Sequence, residues 1–411
     1  MGALRQPKFW RAMVVAGLSA PLAMPAMAQS ALETCAAEAA SQWEPGYAAT
    51  GRDTWQISSS AAIEACTAAL EETPRDPSVL GWLGRAYYAA GQKDLAAPLF
   101  EEAVAAGNLV SLSLLGDMLI VGDNVAMDME RGARLLTIAA EAGFAPAQNS
   151  LGLSYDFGEG VEQNYEAAVA WYRAAAEQGL PRAETNLGLM YQEGLGIGRD
   201  YVAAAAWLGR AAAHGDARGQ YGLGKVYENG WMVDVDYLQA AALYELAAAQ
   251  GDPFAQTSLG YFHERGLGVD ADIARAADFY QQAADQGHAQ AQHNLAVLYE
   301  DGRGVQPDPA RAFELYAAAA NGGQMDAAVN LGLMYLDGVG TDANAAEALR
   351  WTEAAANAGH PVGLNNMGHL YENGLGVTAD AALALDYYRQ SAALGYELAT
   401  DNLARMEALS N

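Results

Sequence analysis

Residues 181–216 read PRAETNLGLMYQEGLGIGRDYVAAAAWLGRAAAHGD. Within this stretch Leu187-Gly188 is followed four residues on by Tyr191, a spacing that puts anchor and ring on one face of a helix. Gly194 and Gly196 come next, and glycine is the residue that ends a helix in the left-handed conformation. An alanine-rich run with Ala204, Trp207 and Ala212 then reads as a second helix, stopped at Gly215. The small residues of that run allow close approach to a neighbour, and the ring three after Ala204 is expected to fill the gap between helices.

The same pattern recurs along the chain. Anchors stand at Leu115, Leu151, Leu187, Leu223, Leu259, Leu295, Leu331, Met367 and Leu403, each step being 36 residues. The helix-stopping glycines run in phase from Gly107 to Gly395. A period of this length means a stack of supersecondary units, none of which can bury its apolar face alone. The prediction is all-α: a right-handed α-α superhelical solenoid of tandem helix-turn-helix repeats. Below, the first helix of each unit is called helix A and the second helix B, and register is counted from the anchor.

Phrases such as Leu187-Gly-Leu-Met-Tyr191, Gly266-Leu-Gly268-Val269 and Trp171-Tyr172-Arg-Ala-Ala-Ala176 resemble the Sel-like repeat, the longer-looped relative of the tetratricopeptide repeat. The resemblance covers residues 109–396 as eight units. Upstream, Leu83, Gly84, Tyr87, Ala96, Phe100 and Ala103 resemble an ordinary tetratricopeptide repeat over 77–108. Residues 29–76 are expected to form an N-terminal helical cap, with Trp43, Tyr47 and Trp55 in its loop, and 397–411 a C-terminal capping helix. Met232 in place of the second turn glycine, His263 in place of tyrosine, and Ala296 and Ala404 after the anchor depart from the pattern.

Arg5, Lys8 and Arg11, the apolar run 12–23 and Ala26-Met27-Ala28 read as a signal peptide, 1–28, with Gln29 first in the mature chain. That places the protein in the periplasm or outside the cell. In such a compartment Cys35 and Cys66, the sole cysteines, are expected to form a disulfide. No later segment reads as a membrane anchor.

Function is bounded by what is missing and by charge. The 411 residues carry a formal charge of −28 and three lysines, Lys8, Lys93 and Lys225. Such a surface repels phosphate, so nucleic acid is not an expected ligand, whereas a basic protein or peptide is. The six histidines lack zinc spacing, the glycine doublets follow helices rather than strands, and no nucleophile motif occurs, so neither metal, cofactor nor catalytic residue is expected. The resemblance implies a scaffold for protein partners in the cell envelope, with a regulatory role. The alternatives are a cell-wall or β-lactam-directed enzyme, disfavoured because the chain lacks the per-repeat disulfides of such relatives, and a secreted effector that binds host proteins.

The resemblance also implies that helix A lines a concave groove. The residue before each anchor then faces it: Asn186, Asn294, Asn330, Asn366 and Asn402 in five units. Side-chain amides in a row can grip an extended backbone, or they can bond neighbouring helices of the stack. Tyr221, Tyr261, His293 and His369, two residues before or after an anchor, are the neighbouring candidates. Glu228, Glu264, Glu300 and Glu372 near the helix A ends suggest an acidic rim.

Overall fold

The computed structural model describes residues 30–231 and 234–410. The leader and its cleavage point, and Met232, lie outside the described residues. Among the described residues there are α-helices and one 3-10 turn, and no strand. The chain forms two units that divide after Asn108.

The first unit contains α1 (Ala31–Ala39), α2 (Ser59–Glu72), α3 (Pro77–Ala89) and α4 (Lys93–Val104). Cys35 on α1 and Cys66 on α2 are fully buried and bonded, with their Cα atoms 4.5 Å apart. The bond ties the two helices where Ala36, Ala39, Ala62 and Ala69 leave them in close contact. Residues 40–58, between α1 and α2, fold back over α3. Tyr47 meets Trp82 edge-on at 5.4 Å, and the Trp82 indole donates to the Glu44 carboxylate.

In the second unit helix A is α5 (Leu109–Val121), α7 (Ala145–Phe157), α9 (Pro181–Glu193), α11 (Ala217–Asn229), α13 (Pro253–Arg265), α15 (Ala289–Asp301), α17 (Met325–Asp337) and α19 (Pro361–Asn373). Helix B is α6 (Met129–Glu141), α8 (Tyr165–Glu177), α10 (Tyr201–Ala213), α12 (Tyr237–Ala249), α14 (Ile273–Asp285), α16 (Pro309–Asn321), α18 (Ala345–Asn357) and α20 (Ala381–Ala393), and α21 (Glu397–Ser410) follows. Within this unit, consecutive helices from α5 to α21 pack on one another. No described helix is long and apolar enough to cross a membrane.

Every helix B opens on an Asp or Asn whose side chain accepts from its own first turn, as Asp200 does from Val202 and Ala203. The same residue donates its backbone N–H to the carbonyl four after the anchor, for example Asp272 to His263. The cap thereby satisfies two groups that a helix end leaves open and fixes the path of the turn.

In five units the ring that fills the space between helices is one position later than the sequence suggested, whereas Trp351, at the expected position beside Thr352, is buried in the core. Trp171, Trp207 and Phe279 are only half-buried, whereas Tyr172, Tyr244, Tyr280, Tyr316 and Tyr388 are fully buried. Four residues after the small alanine, a side chain points straight at the partner helix. Tyr280 lies flat on Gly260, so close that a Cβ there would stand 2.5 Å from the ring. The second turn glycine has a similar task between units. Gly196 has φ +64°, and a Cβ on it would meet the Tyr165 backbone of the preceding unit at 2.2 Å.

A further bond joins the start of helix A to the end of helix B. Gln178 donates to Gln148 at 2.8 Å, Gln250 to Gln220 at 2.8 Å and Gln286 to Gln256 at 2.8 Å. The receiving Gln donates back to the preceding helix B, as Gln148 does to Ala140 at 3.2 Å. One unit does this with charges. Glu184, fully buried, accepts from His214 at 2.8 Å and pairs with Arg210 at 2.9 Å. A carboxylate cannot donate onward, and Arg210 supplies the missing bond to the Ala176 carbonyl at 3.3 Å. Removing both partners strands a buried charge, so Arg210→Ala/His214→Ala is expected to cost about 3–5 kcal/mol. Glu184→Gln/His214→Gln restores the amide arrangement and should stay within about 1 kcal/mol of the parent. Urea denaturation followed by circular dichroism compares the two.

Candidate functional site

The row before the anchors lies half-buried on helix A, and its amides are engaged inside the stack. Tyr280, from the preceding helix B, meets Asn294, and Tyr316 meets Asn330. Asn294 also accepts from Gln290 at 2.8 Å. Asn186 donates to Asn149 at 3.0 Å. Asn402 donates to Asn365 at 3.0 Å, which donates to Asn366 at 3.3 Å. The structure therefore brings these residues into one row and gives each a partner within the fold.

The glutamates of the expected rim belong to the same network. The tyrosine hydroxyls donate to Asp156 at 3.1 Å, Glu264 at 3.1 Å, Glu300 at 2.7 Å and Glu372 at 2.8 Å, and Tyr244 donates to Glu228. Burial first, then the adjoining carboxylate, holds each hydroxyl protonated far above the usual tyrosine range. Where the tyrosine is missing the carboxylate is missing too: Leu208 goes with Gln192, and Thr352 with Leu336. Arg303 and Arg405, one unit downstream, close on Glu264 at 3.0 Å and Glu372 at 2.6 Å.

The remaining candidates are more open. Tyr261 is 42% exposed, with the Arg265 guanidinium over its ring at 5.7 Å. Tyr221 is half-buried, 5.6 Å from Tyr244 and 5.8 Å from Phe254. His293 lies 5.7 Å from Tyr316 and bonds Asn294, and exposed His369 accepts from Asn373 at 3.1 Å. The other histidines make their contacts inside single units. His288 meets Thr257 at 2.8 Å, with burial drawing its pKa down. His360 contacts Asp326 at 3.0 Å, and buried His263 stacks on Phe279. Among the described residues no three His, Cys, Asp or Glu side chains gather as metal ligands would.

Three residues of this face escaped the sequence reading. Arg182 and Arg218, five before their anchors, are exposed, and Phe254 at the same register is 47% exposed. Their visible signal is chemical. Arginine stands at the second residue of α9 and α11, where the helix dipole favours the opposite charge. Asp117, two after its anchor on α5, is half-buried and bonds Ser150, with Arg182 nearby; burial nevertheless pushes its pKa up to about 7.

The comparisons with known proteins agree with this architecture. A family model described as "Sel1 repeat" matches residues 110–144, 145–180, 181–216, 217–252, 253–288, 289–324, 326–360 and 361–396. The chain is similar to a solved Sel1 repeat protein from Oxalobacter formigenes, at 29% identity over 75% of this chain and 89% of that one, with a TM-score of 0.53. It is also similar to c5321, described as a protective antigen of uropathogenic Escherichia coli strains with an SLR fold, at 29% identity over 87% of this chain and 84% of that one, with a TM-score of 0.48. No curated protein matches the chain.

Two predictions follow from the geometry. Asn330→Ala and Tyr316→Phe should each lower stability by about 1 kcal/mol and couple by more than about 0.5 kcal/mol in a double-mutant cycle. Asn366→Ala, which follows Thr352 rather than a tyrosine, should cost less. Asp117 titrates higher folded than unfolded, so its protonated form favours folding, and that contribution is lost as pH rises towards about 7. Asp117→Asn should therefore match the parent in melting temperature near pH 4 and exceed it at pH 8.

Proposed function

The chain belongs to the Sel1 repeat family, and from that premise we propose that it is an exported scaffold that holds a protein segment on the helix A face of its repeats, in the cell envelope and in a regulatory role. Proteins of this family generally mediate protein–protein interaction, and the fold is typically non-catalytic. The observation that carries the reading here is the exposed aromatic and cationic set on helix A, Tyr261, Phe254 and Arg218. Tyrosine and arginine are the residue types in which binding energy concentrates. One residue before the anchor on the flanking helices, Asn186 of α9 and Asn294 of α15 can offer their remaining donors and acceptors to a bound backbone. Export rests on the leader, residues 1–28, and envelope residence on the compartment to which such leaders direct.

The test is site-specific photocrosslinking in the native cell. A photoreactive phenylalanine analogue at Tyr261 should trap a discrete protein partner in the envelope fraction, and the trapped chain should begin at Gln29. The same probe at Leu246, exposed on helix B, should trap none. Equal crosslinking from both positions would refute the helix A surface, and full-length chain found only in the cytoplasm would refute export.

A further inference from the structure

The first unit contains a worked example of a helix A face holding an extended segment. On α3 the residue before the anchor Leu83 is Trp82 and the residue two after it is Arg85. Arg85 donates to the Ala39 carbonyl at 2.9 Å and also to that of Arg52, so it grips both ends of the segment 40–53. Trp82 donates to the Glu44 carboxylate and packs on Tyr47. Glu44 and Asp53 both face the field of Arg85. The segment held there carries Glu44, Asp53 and Tyr47 along with Arg52; Arg85 takes its backbone carbonyls with two carboxylates in reach of its charge, and the Trp82 indole takes the Glu44 carboxylate directly.

On the same face of the second unit, the positions five, two and one before the anchor and two after it carry carboxylates at Asp117 on α5 and Asp326 on α17, but the helices between α5 and α15 have an unexpected charge there. Across α7, α9, α11 and α13 they hold the cations Arg182, Arg218 and Lys225 and no carboxylate. The chain as a whole is at −28. Lys225 is paired with Glu228 at 2.9 Å, but among the described residues neither the Arg182 nor the Arg218 side chain has a hydrogen bond or ion-pair partner. Arg182 acts through space on Asp117, and Arg218 on Asp252 and Tyr172. A guanidinium left open near a helix N-terminus costs stability there and is shaped for a carboxylate fork. Phe254 and Tyr261, the next rings along the face, are exposed.

Resting on the groove reading above and going beyond it to the chemistry of the occupant, we propose that the helix A face of α9, α11 and α13 takes an extended peptide carrying carboxylates and an aromatic side chain, in the manner of residues 40–53 on α3. Arg182 and Arg218 take the carboxylates, and Phe254 and Tyr261 take the ring. The net charge of the molecule had pointed to a basic partner. The face itself selects the opposite sign, because short-range guanidinium contacts survive physiological salt whereas repulsion from charges beyond about 8 Å is largely screened.

The experiment is to pan a random dodecapeptide phage library on the full mature chain, then measure enriched peptides by fluorescence polarisation. Enriched sequences should combine Asp or Glu with Phe, Tyr or Trp. Their affinity should fall at least tenfold in Arg182→Glu/Arg218→Glu and stay unchanged in Arg275→Glu, an exposed arginine on α14. Circular dichroism and melting of both variants verify folding, and Phe254→Ala gives a second, charge-neutral loss. Enrichment of Lys- and Arg-rich peptides that Tyr261→Ala weakens would overturn the anionic occupant while leaving the groove reading intact. Acidic peptides retained by the double variant, or no enrichment at all, would also overturn the proposal.

Discussion

Four units, α7–α8, α11–α12, α13–α14 and α19–α20, depend on one close contact, a helix B ring pressed against a helix A glycine. With Tyr280 on Gly260 no Cβ can intervene, so the two helices approach more closely than ordinary side chains allow. That approach buries the ring and drives its hydroxyl to the far edge, where it must find partners. The carboxylate at the end of helix A and the amide of the next unit supply them, as Glu264 and Asn294 do for Tyr280. Two conspicuous polar rows therefore follow from the placing of one ring. Where the ring is replaced by Leu208, the carboxylate becomes Gln192 and the amide becomes Gly222, against which Leu208 packs.

The acidity of the chain has a similar local origin. Asp128, Asp200, Asp236, Asp272, Asp308 and Asp380 cap helix B, and Asp216 and Asp252 cap helix A. These carboxylates are committed to backbone N–H groups. Net charge consequently says little about the face a partner would meet, and the cations of α9 and α11 stand out once the caps are set aside.

The helices, their glycine stops and the cysteine pair were legible because each rests on local chemistry. The glycines from Gly107 to Gly395 all have positive φ, and Asn124 does the same work in a non-glycine turn. The role of the amide row was not legible by that route. An asparagine facing a ligand and an asparagine facing the hydroxyl of a neighbouring helix look alike when only helix A is read. The discriminating signal was the paired loss of Tyr with its carboxylate sixteen residues earlier, at Leu208 and Thr352, which relates two helices rather than one. Arg182 and Arg218 were missed for a different reason: attention fell on the anchor's neighbours, and the second residue of the helix lies more than a turn away.

The charged substitution at Glu184 has its compensation, Arg210 and His214, inside the same 36-residue unit, and the seat for Gly196 is backbone, which is the same whatever the residue. A unit is therefore a self-contained package that carries its own corrections. In-phase duplication or loss of whole units by recombination, in steps of one repeat's worth of coding sequence, would keep these joints complete and put at risk only contacts specific to two units, such as Leu208 on Gly222 and Arg303 with Glu264. The array can lengthen or shorten in evolution without redesign, while an out-of-phase change of a few residues would misplace a ring, a cap and a seat together.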